Sequence, residues 1–280
     1  MAEREQITLT GAQETMLATL YGRALESRSA NPILGDTEAE KAVQRLDYDF
    51  SRTKIRRSSG KSVATRAKNL DRWVGRLLSE RPDSTVLHLA CGLDARARRV
   101  DPPSTARWYD IDLPDVIDLR RRILPPADGE DVRTIASSVT DPRLLDGIPD
   151  DAPVIVVAEG LTMYLSTADG EVLLRRIVEH FPSGALLFDA LSPLGVRLTR
   201  YQGIVRSSGA RLEWGVDDPR ELERAVPGLR LDTEWTYFDA PELDRYSPAT
   251  RRLLRLARRS RTIRNIGRIL CYRFGEQRRE

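Results

Sequence analysis

Lysine is scarce in this 280-residue chain. Lys41, Lys54, Lys61 and Lys68 are the only four, so nearly all of its 45 basic residues are arginine. They are almost cancelled by 42 acidic residues, and a net charge of +3 gives little general attraction to polyanions, so no nucleic-acid partner is implied. Cysteine is limited to Cys91 and Cys271, both in apolar runs without a CxxC or Cys/His cluster, which argues against a disulfide framework and against a metal site. Two buried thiols fit a reducing cytoplasm. No stretch approaches the roughly 20 apolar residues of a membrane span, and no charged n-region leads into an apolar run at the start. The expectation is a soluble, cytoplasmic protein with no membrane partner; no pattern specifies its oligomeric state.

What is present is enough apolar material, 40%, for a sizeable core. Before about residue 82 the periodicity is helical, at Thr15 to Leu25 and Val63 to Leu78, separated by a turn at Asn31 to Asp36 and a polar, basic stretch at Ser51 to Ser62. From residue 85 short apolar runs alternate with amphipathic helices, the pattern of a parallel sheet covered on both faces. Strands are expected at Thr85 to Ala90, Arg107 to Asp110, Asp131 to Ala136, Pro153 to Ala158, Ala185 to Asp189, Leu229 to Tyr237 and Arg268 to Phe274. A helix is expected over Thr167 to His180, and helical matter over Pro241 to Ser260. The fold class is therefore α/β, a doubly wound, seven-stranded, mostly parallel sheet (83–280) with an N-terminal helical cap (1–82).

In such a sheet a ligand sits beyond the carboxyl ends of the strands, where the strand order reverses. The loop Ala90-Cys-Gly-Leu-Asp94 falls there, with small residues that let backbone approach a ligand and Gly92 as the position free to take positive φ. A dinucleotide site would need G-x-G-x-x-G, and only one glycine is present. Asp110 and Asp112 end the second strand, where a carboxylate can accept hydrogen bonds from both ribose hydroxyls; one of the two is expected to do so.

Val86 to Arg96, Tyr109-Asp-Ile-Asp-Leu-Pro114 and Val157-Ala-Glu-Gly-Leu-Thr-Met-Tyr-Leu165 together resemble the leucine carboxyl methyltransferase family and its bacterial branch, the TcmP-like O-methyltransferases of polyketide pathways. Leu20 to Ala24, Asp47 to Phe50 and Arg66 to Asp71 extend the resemblance into the cap. It implies a class I methyltransferase fold, Rossmann-like, binding S-adenosylmethionine (SAM) and releasing S-adenosylhomocysteine.

Carried over by position, the resemblance implies that Arg66 grips the methionine carboxylate, a task suited to a guanidinium, with Arg23 assisting. Ala90 stands where the family has the first glycine of its loop, and Gly92 matches the second. Ser138 and Val139 occupy the place of an Asp-Leu pair that holds adenine, with Asp141 as a substitute or as a helix N-cap. Glu159 matches the glutamate beside the cofactor. Tyr164 matches a tyrosine that orients the acceptor.

Transfer from a sulfonium asks mainly for alignment and exclusion of water. A carboxylate acceptor, with a pKa of about 4, needs no base, whereas a phenol at about 10 benefits from one. His88, inside the first strand, and His180, ending a helix, read as structural, which leaves Asp189, Tyr164 or no base at all. Arg251 to Arg268 reads as an amphipathic helix with a solvated basic face. The function implied is methylation of a small-molecule hydroxyl or carboxyl acceptor in specialised metabolism. The alternatives are methylation of a protein C-terminal carboxylate, and a cofactor-binding relative that no longer methylates. The acceptor pocket is expected from the cap and residues 191–214.

Overall fold

A computed structural model describes residues 4–7, 12–127, 129–201, 205–206 and 209–275; part of the 191–214 segment lies outside them. The seven strands form at the expected places: β3 (Thr85–Leu89), β4 (Arg107–Asp112), β5 (Val132–Ala136), β6 (Val154–Ala158), β7 (Gly184–Leu191), β8 (Arg230–Thr236) and β9 (Gly267–Phe274). Their order is β5-β4-β3-β6-β7-β9-β8, with β9 antiparallel to both neighbours and the first five strands parallel. The chain moves outward from β3 through β4 to β5, then returns to the other side of β3 with β6. That reversal opens a crevice beyond Leu89 and Ala158.

Both central strands are buried along their whole length because each face meets helices. Along β6, Val154, Val156 and Ala158 pack with Leu173, Leu174 and Ile177 of the helix Thr167–His180. Ile155 and Val157 point the other way, onto Leu70, Val74 and Leu78 of helix α3 (Arg57–Glu80). Thus α3 is part cap and part sheet cover, and it carries Arg66 between the two.

Several boundaries differ from the sequence pattern. Strand β4 runs on to Asp112, paired with Ala136. β7 continues to Leu191 because its antiparallel pairing with β9 extends to Gly267. The cap is not wholly helical: Glu5–Gln6 (β1) pairs in parallel with Leu46–Asp47 (β2). Besides α1 (Ala12–Ser27) it holds α2 (Thr37–Arg45), capped by Asp36, which accepts from the amide of Ala39 at 3.0 Å. The stretch expected to be merely polar and basic makes a 3₁₀ turn at Phe50–Thr53, because buried Phe50 stacks on Tyr21, and then opens α3. The arginine-rich run is not one helix: it ends at Ala257, makes a short turn at Arg261–Arg264 and enters β9.

Candidate active site

A cavity of about 640 Å³ occupies the crevice, floored by the carboxyl ends of β3, β4, β6 and β7 and roofed by α1 and the first turns of α3. Its lining includes Arg23, Arg66, Ala90, Gly92, Asp112, Ser138, Val139, Glu159, Tyr164 and Asp189. Asp110 is not among them.

The loop after β3 turns through two left-handed residues. Gly92 has φ +52°, as expected, but Ala90 also adopts φ +50°, so the single glycine is not the only positive-φ position. The turn is held by the amide of Cys91 on the carbonyl of Ile111 (3.1 Å) and by that of Gly92 on Asp112 Oδ2 (2.7 Å). An alanine in the left-handed region stores strain of about 1 kcal/mol or more.

The two aspartates of β4 part company here. Asp110 is fully buried; its Oδ1 accepts from Trp108 Nε1 and faces His88 Nδ1, both at 2.9 Å, while Oδ2 takes Arg120. Burial pushes its pKa up, but Arg120, His88 and Trp108 outweigh burial and bring it down to about 2. With its oxygens engaged under the loop, Asp110 has no face toward the cavity, which removes it from the candidate ribose ligands. Asp112 lines the cavity and accepts from the amides of Gly92 and Leu113 (2.8 Å). Burial raises its pKa, against the pull of those amides.

Arg66 joins the two acids at the strand ends. Its Nε donates to Glu159 Oε1 at 2.9 Å and its Nη1 to Asp189 Oδ2 at 2.8 Å. Glu159 also takes Arg96. Burial raises the pKa of Glu159, yet Arg66 and Arg96 prevail and hold it below the usual carboxylate range. At Asp189 burial wins: its pKa is raised although Arg66 lowers it, and the charge of Glu159 adds to the rise. Asp189 Oδ1 accepts from the amide of Gly160 at 2.6 Å. Tyr164 shares a hydrogen bond with Thr15 Oγ1 of the cap (3.0 Å), and burial raises its pKa.

Around these residues lies a buried ion network that local motifs did not reveal. Arg96, completely inaccessible, reaches Asp71 (2.8 Å), Asp94 (3.3 Å) and Glu159. Arg99 reaches Asp94 (2.6 Å), Asp71 (2.8 Å) and Asp36 (3.0 Å). Arg23 closes the chain on Asp36 at 2.9 Å and donates to the carbonyl of Leu93. Four guanidiniums thus serve five carboxylates, Asp36, Asp71, Asp94, Glu159 and Asp189, leaving one negative charge in excess. The arginine pair at positions 96 and 99, one helical turn apart and both aimed at Asp71, was the available signal.

Ser138 lines the cavity, but its hydroxyl is shared with Thr140 (2.8 Å), and Asp141 lies outside the lining, where it accepts from the amide of Arg143. His88 is buried as expected yet also touches the cavity; His180 bonds the carbonyl of Ile148 at 3.0 Å. Tyr237, which no motif singled out, completes the wall beside Arg66.

Residues 16–178 match the model of the leucine carboxyl methyltransferase family, more than half of the chain. The chain belongs to that family. It is accordingly a SAM-dependent methyltransferase. The tetracenomycin polyketide synthesis O-methyltransferase TcmP of Streptomyces glaucescens is 50% identical over 239 residues, 85% of this chain and 88% of its own. The SAM-dependent methyltransferase dpfgK of Gibberella zeae is 39% identical over 275 residues, 91% and 92% of the two chains. The fold of this methyltransferase is also that of a DUF574 family protein from Streptomyces avermitilis (TM-score 0.60, 14% identity, 93% and 97% covered). A candidate methyltransferase from Thermobifida fusca shares it as well (TM-score 0.58, 19% identity, 92% and 94% covered). Asp189 and Tyr237 lie beyond the residues that the family model matches.

Proposed function

We propose that this methyltransferase transfers the methyl group of SAM to an oxygen of a small, largely apolar acceptor of the aromatic polyketide type, through a hydroxyl or a carboxyl group. The observation that carries this reading is that one cavity is lined by two kinds of surface. Asp112 and the ion-paired Glu159, Arg66 and Asp189 are charged, whereas Ala18, Ile55, Met163, Val205 and Leu212 belong to one apolar cluster. Its volume is within the range of small-molecule sites, and the 50% identity to TcmP supports the acceptor class.

The residues present fit SAM. The excess negative charge of the buried network suits a ligand whose sulfonium and ammonium outnumber its one carboxylate. Arg66 is assigned to that carboxylate, Glu159 to the cationic side of the methionine part, Asp112 to the ribose hydroxyls, and Ser138 with Val139 to the adenine. Ala90 and Gly92 bring backbone close, while Arg23 acts through Asp36 and the loop carbonyl of Leu93.

SAM supplies an activated methyl group on a good leaving group, so the protein's task is orientation and dryness. Tyr164, tied to the cap through Thr15, orients the acceptor oxygen. Where that oxygen is a hydroxyl, Asp189 receives its proton, a role for which its raised pKa suits it; a carboxylate acceptor arrives ionised.

The test is transfer of labelled methyl from SAM to a panel of hydroxylated and carboxylated aromatics, with cell extract separated into small-molecule and protein fractions. Label in the small-molecule fraction is expected. Label confined to protein would favour C-terminal carboxyl methylation instead.

A further inference from the structure

Tyr237 reaches the cavity from a part of the chain remote from every cofactor motif. It follows β8 in a 3₁₀ turn, Tyr237–Asp239, closed by a capping box in which the Thr236 side chain accepts from the Asp239 amide and Asp239 Oδ2 accepts from the Thr236 amide at 3.2 Å; Thr236 Oγ1 also donates to that Oδ2 at 2.6 Å. The ring rests on Gly267: a Cβ there would lie 2.9 Å from Tyr237 Cε2, so only glycine leaves this seat open. Trp235 flanks the ring with centroids 6.0 Å apart. The turn packs on α3, which carries Arg66, and the phenol lies within hydrogen-bond reach of the Arg66 guanidinium, with Asp189 and Glu159 close by.

Arg66 alone is a poor anion site. Its Nε and Nη1 each donate to an acid, Glu159 and Asp189, and Nη2 lies beside Gly160, so most of the guanidinium's charge is already answered by carboxylates. Two carboxylates already held by the same guanidinium would repel an incoming carboxylate. A second donor that needs no charge of its own resolves the conflict, and burial keeps the Tyr237 phenol protonated by raising its pKa.

We propose that Tyr237 donates its phenolic hydrogen to the same methionine carboxylate as Arg66, so that the two side chains form one grip on SAM and on S-adenosylhomocysteine. This rests on the assignment of the charged lining of the cavity to SAM. Tyr237 is then a cofactor-binding residue supplied by the antiparallel edge of the sheet, not part of the acceptor pocket.

Calorimetry on the full-length protein, wild type and Tyr237→Phe, tests this with three ligands: SAM, S-adenosylhomocysteine, and decarboxylated SAM, which keeps sulfonium, amine and nucleoside but has no carboxylate. Loss of a hydrogen bond to a charged group predicts weakening of about tenfold or more for the first two, with decarboxylated SAM unchanged within about twofold. Equal weakening of all three would mean that Tyr237 only supports the wall, and would overturn the proposal. So would unchanged affinity for both SAM and S-adenosylhomocysteine. Failure of the wild type to bind SAM would instead overturn the assignment of the cavity itself, and this grip with it.

Discussion

Arg66 Nη1 donates to Asp189 Oδ2 at 2.8 Å, tying a helix shared by cap and sheet to the end of the fifth parallel strand. The same guanidinium holds Glu159, so the cap cannot lift from the crevice without exposing or unpairing two buried acids. Removing it is predicted to cost stability as well as binding. Arg66→Met should lower unfolding free energy by about 3 kcal/mol, the scale for breaking a buried pair by deleting one partner, and should weaken SAM in calorimetry. A urea midpoint equal to wild type would show that the two acids relax into solvent.

Asp110 and Asp112 should respond oppositely to amide substitution. Asp110 has a folded pKa of about 2 against an ordinary value of 3.8, so its ionised form stabilises the fold. That contribution is fully present above about pH 4 and is lost as pH falls toward 2. Asp110→Asn is predicted to cost about 2 kcal/mol at neutral pH and to flatten this part of the acid unfolding curve, with SAM affinity little changed. Asp112→Asn should leave stability near wild type and weaken SAM. The reverse assignment of losses would place the ribose on Asp110.

Ala90 at φ +50° is a strained position that glycine would occupy freely. Ala90→Gly is predicted to gain about 0.5–1 kcal/mol, the relief of strain partly offset by the greater freedom of an unfolded glycine, and to retain SAM binding. A calorimetric Tm lower than wild type would mean that the alanine methyl makes packing contacts worth more than the strain.

The raised pKa of Asp189 carries a pH prediction for a hydroxyl acceptor. The basic form is lost by protonation at a pH above that of an ordinary aspartate, because burial and Glu159 favour the neutral acid more than Arg66 opposes it. Turnover should therefore fall on the acid side with an apparent pKa above 3.8, and Asp189→Asn should abolish that limb along with most activity. For stability the sign is reversed from Asp110: a raised carboxyl pKa makes the fold less stable as pH rises between the unfolded and folded values. Tyr164→Phe should reduce turnover more than SAM affinity; the opposite result would take Tyr164 away from the acceptor.

The sheet was legible because β6 is apolar on both faces and β3 is nearly so, broken by Thr85 and His88. Val154 to Ala158 has no polar side chain to mistake for a solvent face, and the loop after Leu89 follows from where such a strand must end. The choice between Asp110 and Asp112 was not legible, since residues two apart on a strand share a face. What separates them is depth: Asp110 pairs in register with His88 inside the sheet, whereas Asp112 stands at its margin. The Arg96 and Arg99 network was hidden by abundance, as two buried arginines look like any others among 45 basic residues. Tyr237 carries no local motif because its seat is made by Gly267, thirty residues later in the chain. Ala90 showed the limit of reasoning from residue type: the loop geometry is imposed by the Cys91 and Gly92 hydrogen bonds to β4, and an alanine accepts it.

We assign SAM to the crevice beyond β3 and β6, with Asp112 on the ribose. Calorimetric titration of SAM into wild type and Asp112→Ala, with Tm recorded for both, tests this assignment most directly. Saturable binding by the wild type and weakening by about tenfold or more in a variant of nearly unchanged Tm is the predicted result. Equal affinity in the two proteins would contradict it.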